Sequence, residues 1–385
     1  MNKVKMGIIG LGNMGSSHLK FIMDGLTPQI TLAAVAERME TRRRKAREII
    51  PQDISVYEEG SELIAAGICD AVLIATPHYQ HPGLAIQAFK RGLHVMCEKP
   101  AGVYTLDVRE MIKQADLHPQ LSFGMMFNQR TNPLYIKMHE MISSGQLGKL
   151  KRVNWIITDW YRTQYYYDSG AWRATWAGEG GGVLLNQCPH QLDLLQWLCG
   201  MPVRVRAFLH EGKWHDIEVE DDVTAYLEYS NGATGVFITT TGDAPGTNRL
   251  EVTGTLGKLV CENDELIFHR LGVDEREWCV TAKQGFAVPP VEVIRIETDS
   301  SNPQHVGVLN AFASNILHGS PLVADGREGI KGLMLSNAMH LSSWTDKMVS
   351  LPFDEEEYLA LLNLRRASSR IKEDQDLVLN TSGSY

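Results

Sequence analysis

No two cysteines in this sequence are spaced as a Cys-x-x-Cys pair. The six present, Cys69, Cys97, Cys188, Cys199, Cys261 and Cys279, are scattered through 385 residues, and a chain of this length needs no covalent staples. They read as reduced thiols. Long apolar runs are missing too: none is long enough to span a bilayer, and Met1-Asn-Lys-Val-Lys5 enters a strand at once, without a signal-peptide core or cleavage site. A cytoplasmic protein without a membrane partner is expected. Nor is basic charge in excess. Lys and Arg number 37 against 46 Asp and Glu, a net charge of -9. That sign disfavours a broad nucleic-acid surface, and no groove-reading motif appears. Metal-ligand clusters are also lacking. His78 and His81 are close in sequence but follow a Thr-Pro turn without carboxylate or thiolate support, so no metal is expected.

What remains is an ordinary globular composition, 44% apolar and 22% charged, in a chain long enough for two cores. Its first chemical signal is Lys5-Met-Gly-Ile-Ile-Gly-Leu-Gly-Asn-Met-Gly15, an apolar strand running into Gly10-x-Gly12-x-x-Gly15 and then a helix. Gly10 allows the tight turn, Gly12 lets the backbone approach a pyrophosphate, and Gly15 permits close helix-strand packing with free N-H groups facing phosphate. A second strand ends in Glu37, about 20 residues on, where a carboxylate can accept the ribose hydroxyls of an adenosine. Gly10, Gly12, Asn13, Met14, Glu37 and Arg38 are thus expected at a dinucleotide. NAD is the expected cofactor because Glu37 repels a 2'-phosphate. NADP is the alternative, since Arg38 and the run Arg42 to Lys45 offer positive charge.

Strands are expected at Val4 to Ile9, Thr31 to Ala36, Ala71 to Ala75, His94 to Cys97 and Leu121 to Gly124. Helical stretches separate them, the pattern of a doubly wound parallel sheet over residues 1–125. Two of these strands end in Thr76-Pro77-His78-Tyr79-Gln80-His81 and Glu98-Lys99-Pro100. Ligands sit outside the carboxyl ends of such strands, which nominates Thr76, Pro77, His78, His81, Glu98 and Lys99. Residues 126–385 read differently, as an α+β unit. Lys149 to Trp160 and Val203 to Ile296 alternate as strands broken by turns at Asn231-Gly232, Gly254 to Gly257 and Asn263-Asp264, the mark of a large, mainly antiparallel sheet. Helices follow at His305 to Leu317, Gly329 to Trp344 and Asp354 to Ile371. From Lys372 the tail is polar and expected to be mobile.

A second chemical stretch runs from Trp172-Arg173 through Gly180-Gly181-Gly182 and Asn186-Gln187 to His190 and Asp193. Helical spacing puts His190 and Asp193 on one face, where the carboxylate would orient or charge the imidazole, with Asn186 on the same side. Just before it, Trp160-Tyr161-Arg162-Thr-Gln164-Tyr165-Tyr166-Tyr167 reads as a platform for sugar rings, with Tyr161, Arg162 and Gln164 as ligand contacts, or as a subunit interface.

Together with Thr76-Pro77, Phe127-Asn128 and Asp325-Gly-Arg-Glu-Gly329, these motifs resemble the glucose-fructose oxidoreductase and inositol dehydrogenase family over nearly the whole chain. The resemblance implies a Rossmann domain and an open-faced sheet domain. It further implies that Lys99 and His190 meet the substrate beside a nicotinamide, and that Trp172 and Arg173, with Asn128, reach the cofactor. One departure matters: Asn186 stands where the family usually has an aspartate. With Gln187, it suggests a neutral polyol ligand. The expected activity is hydride transfer between a secondary alcohol of a sugar, glycoside or cyclitol and the nicotinamide, with Lys99 or His190 as base. A glycosidase or lyase using transient oxidation and a non-catalytic sensor are the alternatives. A homodimer or homotetramer is expected through the second sheet, on apolar residues of Val223 to Leu227 and Val236 to Ile238.

Overall fold

The computed structural model describes residues 3–299, 301–370 and 372, so all of the tail from Lys372 except Lys372 itself lies outside the described residues. Six strands form the first sheet: β1 (Val4–Ile9), β2 (Ile30–Ala36), β3 (Ser55–Tyr57), β4 (Ala71–Ile74), β5 (His94–Cys97) and β6 (Phe123–Met125). They are ordered β3-β2-β1-β4-β5-β6 and all pair in parallel. This is the doubly wound order, with its switch point between β1 and β4. Short, fully buried runs such as Ala71–Ile74 suit a sheet covered on both faces. The sequence reading missed β3, whose three half-buried residues carry no periodic signal.

Nine strands form the second sheet: β7 (Leu150–Ile157), β8 (Arg204–Glu211), β9 (Glu220–Glu228), β10 (Thr234–Thr240), β11 (Asn248–Gly254), β12 (Gly257–Glu262), β13 (Glu265–Leu271), β14 (Val291–Ile296) and β15 (Val349–Ser350). The order is β14-β13-β12-β11-β7-β10-β9-β8-β15. All neighbours are antiparallel except β7 and β10, which pair in parallel. Turns fall where expected, at Asn231-Gly232, between Gly254 and Gly257, and at Asn263-Asp264. The apolar outer face expected from the alternation of Val223 to Leu227 and Val236 to Ile238 is formed by only some of those residues. Val223, Ala225 and Leu227 point inward and are buried, so they do not supply an apolar outer face. Phe208, Tyr226, Val236 and Ile238 do, because Tyr226 pairs across to Val236 on the alternate face of the pleat.

The inner face carries helices Pro189–Cys199 and Gly329–Thr345. Nine residues of Pro189–Cys199 are buried, among them His190, Gln191, Asp193 and Gln196, so the helix sits inside the molecule and its polar side chains need partners there. Its start is fixed by Pro189, whose missing N-H costs nothing in the first turn. The helix Gln304–His318 leaves the second unit and returns to the first sheet. There Val308, Leu309, Phe312 and Ala313 share one core with Val4, Met6 and Ile8.

The glycine triplet before Pro189–Cys199 is shaped by close approach. A Cβ on Gly182 would sit 1.9 Å from the Glu220 carbonyl oxygen, whereas one on Gly181 would meet Leu185 Cβ at 3.2 Å. The buried Glu220 carboxylate secures the turn, accepting Gly182 N-H at 2.8 Å and Leu184 N-H at 3.0 Å. Gly182→Ala should therefore cost about 2–3 kcal/mol or more and Gly181→Ala less than about 1 kcal/mol, since overpacking against rigid backbone cannot relax. Urea melts of the two variants check the contrast; equal losses would refute it.

Candidate active site

At the switch point the carboxyl ends of β1 and β4 open on a cavity of about 960 Å³. Gly10 has φ +91°, and a Cβ there would lie 2.7 Å from the Ala75 carbonyl. Gly15 is tighter still, its Cβ position 1.8 Å from the Gly10 carbonyl. The helix Asn13–Met23 starts at Gly12 with no side-chain cap, so its first N-H groups face the cavity as an anion site. Gly10, Gly12, Asn13, Met14, Glu37, Arg38, Thr76, Pro77, His78, Glu98, Lys99, Asn128, Trp172 and Arg173 all line this one space.

Glu37 is 7% exposed and already holds the turn, accepting Leu11 N-H at 2.6 Å and Met39 N-H at 2.9 Å. A carboxylate has lone pairs left for ribose hydroxyls. Of the basic residues nearby, Arg38 pairs with Glu59 at 2.9 Å and Arg43 donates to the Glu37 and Arg38 carbonyls at 2.6 Å. Arg44 pairs with Glu40. Arg42 lines the cavity beside Gly12, a contact that sequence reasoning left undistinguished within the run.

Two nominated residues do not line the cavity. His81 is buried behind it, its ring nitrogens 2.7 Å from the Thr76 and Pro100 carbonyls, and it ties the two strand tips together. Gln164 turns the other way, donating to Asp168 at 3.1 Å and accepting Asp216 N-H at 3.0 Å. Its place one residue after Thr163, which caps the short helix Gln164–Asp168, aims it off the wall. Tyr161 and Arg162 do line it.

Lys99 follows β5 and its Nζ donates to the Asn186 carbonyl at 2.9 Å. Burial lowers its proton affinity below the ordinary lysine range, Glu98 opposes that, and Arg173 adds to it. Glu98 accepts from His18 at 2.7 Å and from Lys99 N-H at 3.1 Å. Although burial alone would raise its pKa, His18 brings it down to about 2, and His305 and Lys99 pull the same way.

His190 lies on the cavity wall with Phe127 edge-on at 6.2 Å. Burial, then the charge of Lys99, push its pKa well below normal, so the ring is neutral. The expected His190–Asp193 partnership is not formed. Asp193 instead takes a two-pronged bond from buried Arg130, 2.7 Å on each arm, and a third from Gln196. A planar guanidinium fits that carboxylate better than an imidazole one turn away. Asn186 is not on the helix either; it precedes Pro189–Cys199 in a turn, and its amide donates to Tyr166 Oη at 3.3 Å and to Glu179. Gln187 also donates to Tyr166 Oη, at 3.2 Å.

Tyr166 was legible only as one of a run of aromatics, yet its hydroxyl gathers Arg173, Asn186 and Gln187. Its ring sits between Arg162 at 5.2 Å and Arg173 at 4.6 Å, which themselves cover Trp160 and Trp172. His305, from the returning helix, lines the site with no prior signal. Thr76 Oγ1, Asn128 Oδ1, Trp160 Nε1, Gln187 Oε1 and His190 Nδ1 are buried without a hydrogen-bond partner among the described residues. All five belong to residues that line the cavity, and unpaired atoms of this kind also occur away from it, at Thr27 and Tyr229 for example.

Comparison with known proteins agrees with this fold. The family profile described as an oxidoreductase family with an NAD-binding Rossmann fold matches residues 4–123, and the GFO/IDH/MocA C-terminal domain matches residues 135–260. Myo-inositol 2-dehydrogenase of Thermotoga maritima is 26% identical over 359 residues, covering 90% of this chain and 98% of that one. The rhizopine catabolism protein MocA of Rhizobium meliloti is 29% identical over 52% of this chain and 58% of its own. The structure of the WlbA dehydrogenase from Bordetella pertussis, in complex with NADH and UDP-GlcNAcA, superposes with a TM-score of 0.75 at 25% identity. That match covers 91% of this chain and all of the other. Two consecutive matches, following the chain from its first strand into its second sheet, leave one assignment: it belongs to the GFO/IDH/MocA family of NAD-binding oxidoreductases.

Proposed function

We propose that this oxidoreductase interconverts a secondary alcohol of a sugar, glycoside or cyclitol with the ketone, using NAD. The observation that carries the reading is the meeting of Lys99 and a neutral His190 on the cavity that the glycine fingerprint and Glu37 also line. The inositol dehydrogenase relatives support a cyclitol or sugar as substrate. Residues 1–125 would hold the cofactor and residues 126–385 most of the substrate wall.

A bound nicotinamide supplies the hydride acceptor. The chain's own residues do the rest. Lys99, with its proton affinity lowered by burial, takes the hydroxyl proton, and neutral His190 accepts or relays a hydrogen bond on the same wall. Asn186 and Gln187 read hydroxyls as neutral amides, and the arginine-tyrosine wall with Tyr161 packs against the ring. Glu37 would accept the adenosine ribose hydroxyls, Trp172 and Arg173 would reach the cofactor from the second unit, and Asn128 and His78 would line its site. Copies of the chain associate through the outer face of the second sheet, where Phe208 is 53% exposed. Sedimentation at micromolar concentration should show particles at least twice 43.0 kDa.

Lys99→Met and His190→Ala should each reduce turnover by roughly 10²-fold or more while leaving NAD affinity nearly intact. A base works only when deprotonated, so alcohol oxidation should rise with pH through the Lys99 ionisation, at a pH below the ordinary lysine value of 10.5. The rise should vanish in Lys99→Met. Steady-state kinetics over pH on a panel of polyols and glycosides checks this; a pH limb that survives Lys99→Met removes the lysine from the proton step.

Cofactor choice follows from Glu37. NAD should bind on the order of 10-fold more tightly than NADP, about 1.4 kcal/mol, and Glu37→Ala should narrow the gap. Fluorescence titration of the reduced cofactors decides; tighter NADPH binding would mean that Arg38 leaves Glu59 for the phosphate.

A further inference from the structure

Behind the cavity wall lies a carboxylate that the chemistry above leaves unused. Glu179, in the turn between Arg173 and the glycine triplet, is 2% exposed. One of its oxygens accepts Ala174 N-H at 2.5 Å, and the other accepts the Asn186 side-chain amide. Asn186 completes the link with its main chain, whose carbonyl accepts Lys99 Nζ at 2.9 Å. A single residue therefore joins an enclosed carboxylate to the enclosed ammonium.

The surroundings of both groups are charged. Glu179 faces Arg173 from its own loop and Lys99 from the tip of β5. Glu220 of β9, Tyr167 and Lys372 stand on other sides, and His78 Nδ1 lies 3.2 Å from the Glu179 carbonyl. Burial, the largest effect, and Glu220 raise the Glu179 carboxyl while Arg173 and the Ala174 and Asn186 bonds draw it down; the balance leaves it raised to about 7, so its negative charge is complete only above neutral pH. Lys99 feels the converse. Burial, Arg173 and Arg162 weaken its hold on a proton, while Glu98 and Glu179 strengthen it.

We infer that Glu179 is a positioning residue for Lys99: through Asn186 it aims the carbonyl that holds the ammonium, and it supplies negative charge that keeps this lysine able to regain its proton. Without that charge a lysine crowded by two arginines would have Glu98 alone among these groups to oppose them, and would hold less tightly the proton it returns in ketone reduction. The inference rests on the proposal that Lys99 moves the proton.

The test reads the lysine directly. The pH dependence of Lys99 modification by 1-fluoro-2,4-dinitrobenzene, followed by peptide mass spectrometry, gives its apparent pKa. Glu179→Gln should lower that value by about one unit, the scale of one lost opposite charge nearby. Combining Glu179→Gln with Asn186→Asp should restore it, because the new amide can donate to the new carboxylate and the charge moves one residue inward. Should Glu179→Gln fail to fold, Glu179→Asp keeps the charge but withdraws the oxygen from Asn186, and the modification rate at fixed pH should rise several-fold. A Lys99 titration unmoved by Glu179→Gln, an unrestored double variant, or an unchanged rate in Glu179→Asp each overturns the inference. The readout needs no turnover, so a polyol panel without activity would count against the functional reading alone.

Discussion

The buried fork between Arg130 and Asp193 is the constraint on which the site depends. Arg130 is 2% exposed at its side chain, bonds both oxygens of Asp193, and also reaches Glu328 at 3.0 Å. Three distant stretches are thereby fixed: the exit from β6, the site helix Pro189–Cys199, and the turn that precedes Gly329–Thr345. The guanidinium also lies 5.6 Å from the Phe127 ring and 5.3 Å from Trp197, and Phe127 in turn backs His190. Desolvating such a charge is costly, so its geometry is held by several partners at once or not at all. The rotation of Pro189–Cys199 that turns His190 to the cavity follows from that requirement.

The proton chemistry is set by how unequally burial is compensated. Glu98 is enclosed but held ionised by His18. His190 is enclosed without a carboxylate partner and remains neutral. Lys99 stands between, enclosed yet flanked by charges of both signs. Three titratable groups near one point thus all hold protons less tightly than usual, yet they rest in different charge states, an ionised carboxylate, a neutral imidazole and a weakened ammonium, which is how acid and base roles are separated within a small volume.

Much of this was legible in the sequence because it rests on local rules. The glycine fingerprint, the tips after β4 and β5, the hairpin turns at Asn231-Gly232 and Asn263-Asp264, and the helices near 305 and 329 each follow from φ, periodicity or capping within a few residues. What the sequence did not disclose was long-range. Asp193 was paired with His190 by helical spacing, but its partner Arg130 is 63 residues away and fits a carboxylate better. His81 shared a strand tip with cavity residues, yet two carbonyls, one from Pro100, claimed its ring. Gln164 belonged to the right aromatic run but lies where a short helix directs it outward. The parallel pairing of β10 with β7 and the return of His305 to the first sheet depend on topology, which spacing cannot report.

That return has a bearing on how the chain acquires its structure. Val308, Leu309, Phe312 and Ala313 complete the core of β1 and β2 from about three hundred residues downstream. The dinucleotide-binding sheet therefore cannot bury that face until most of the chain has been synthesised, and its apolar strands wait exposed in the meantime. Contacts so distant in sequence slow folding and lengthen the time during which strands are open to association. A fragment ending after β6 would carry the whole glycine fingerprint and still lack one wall of its own core.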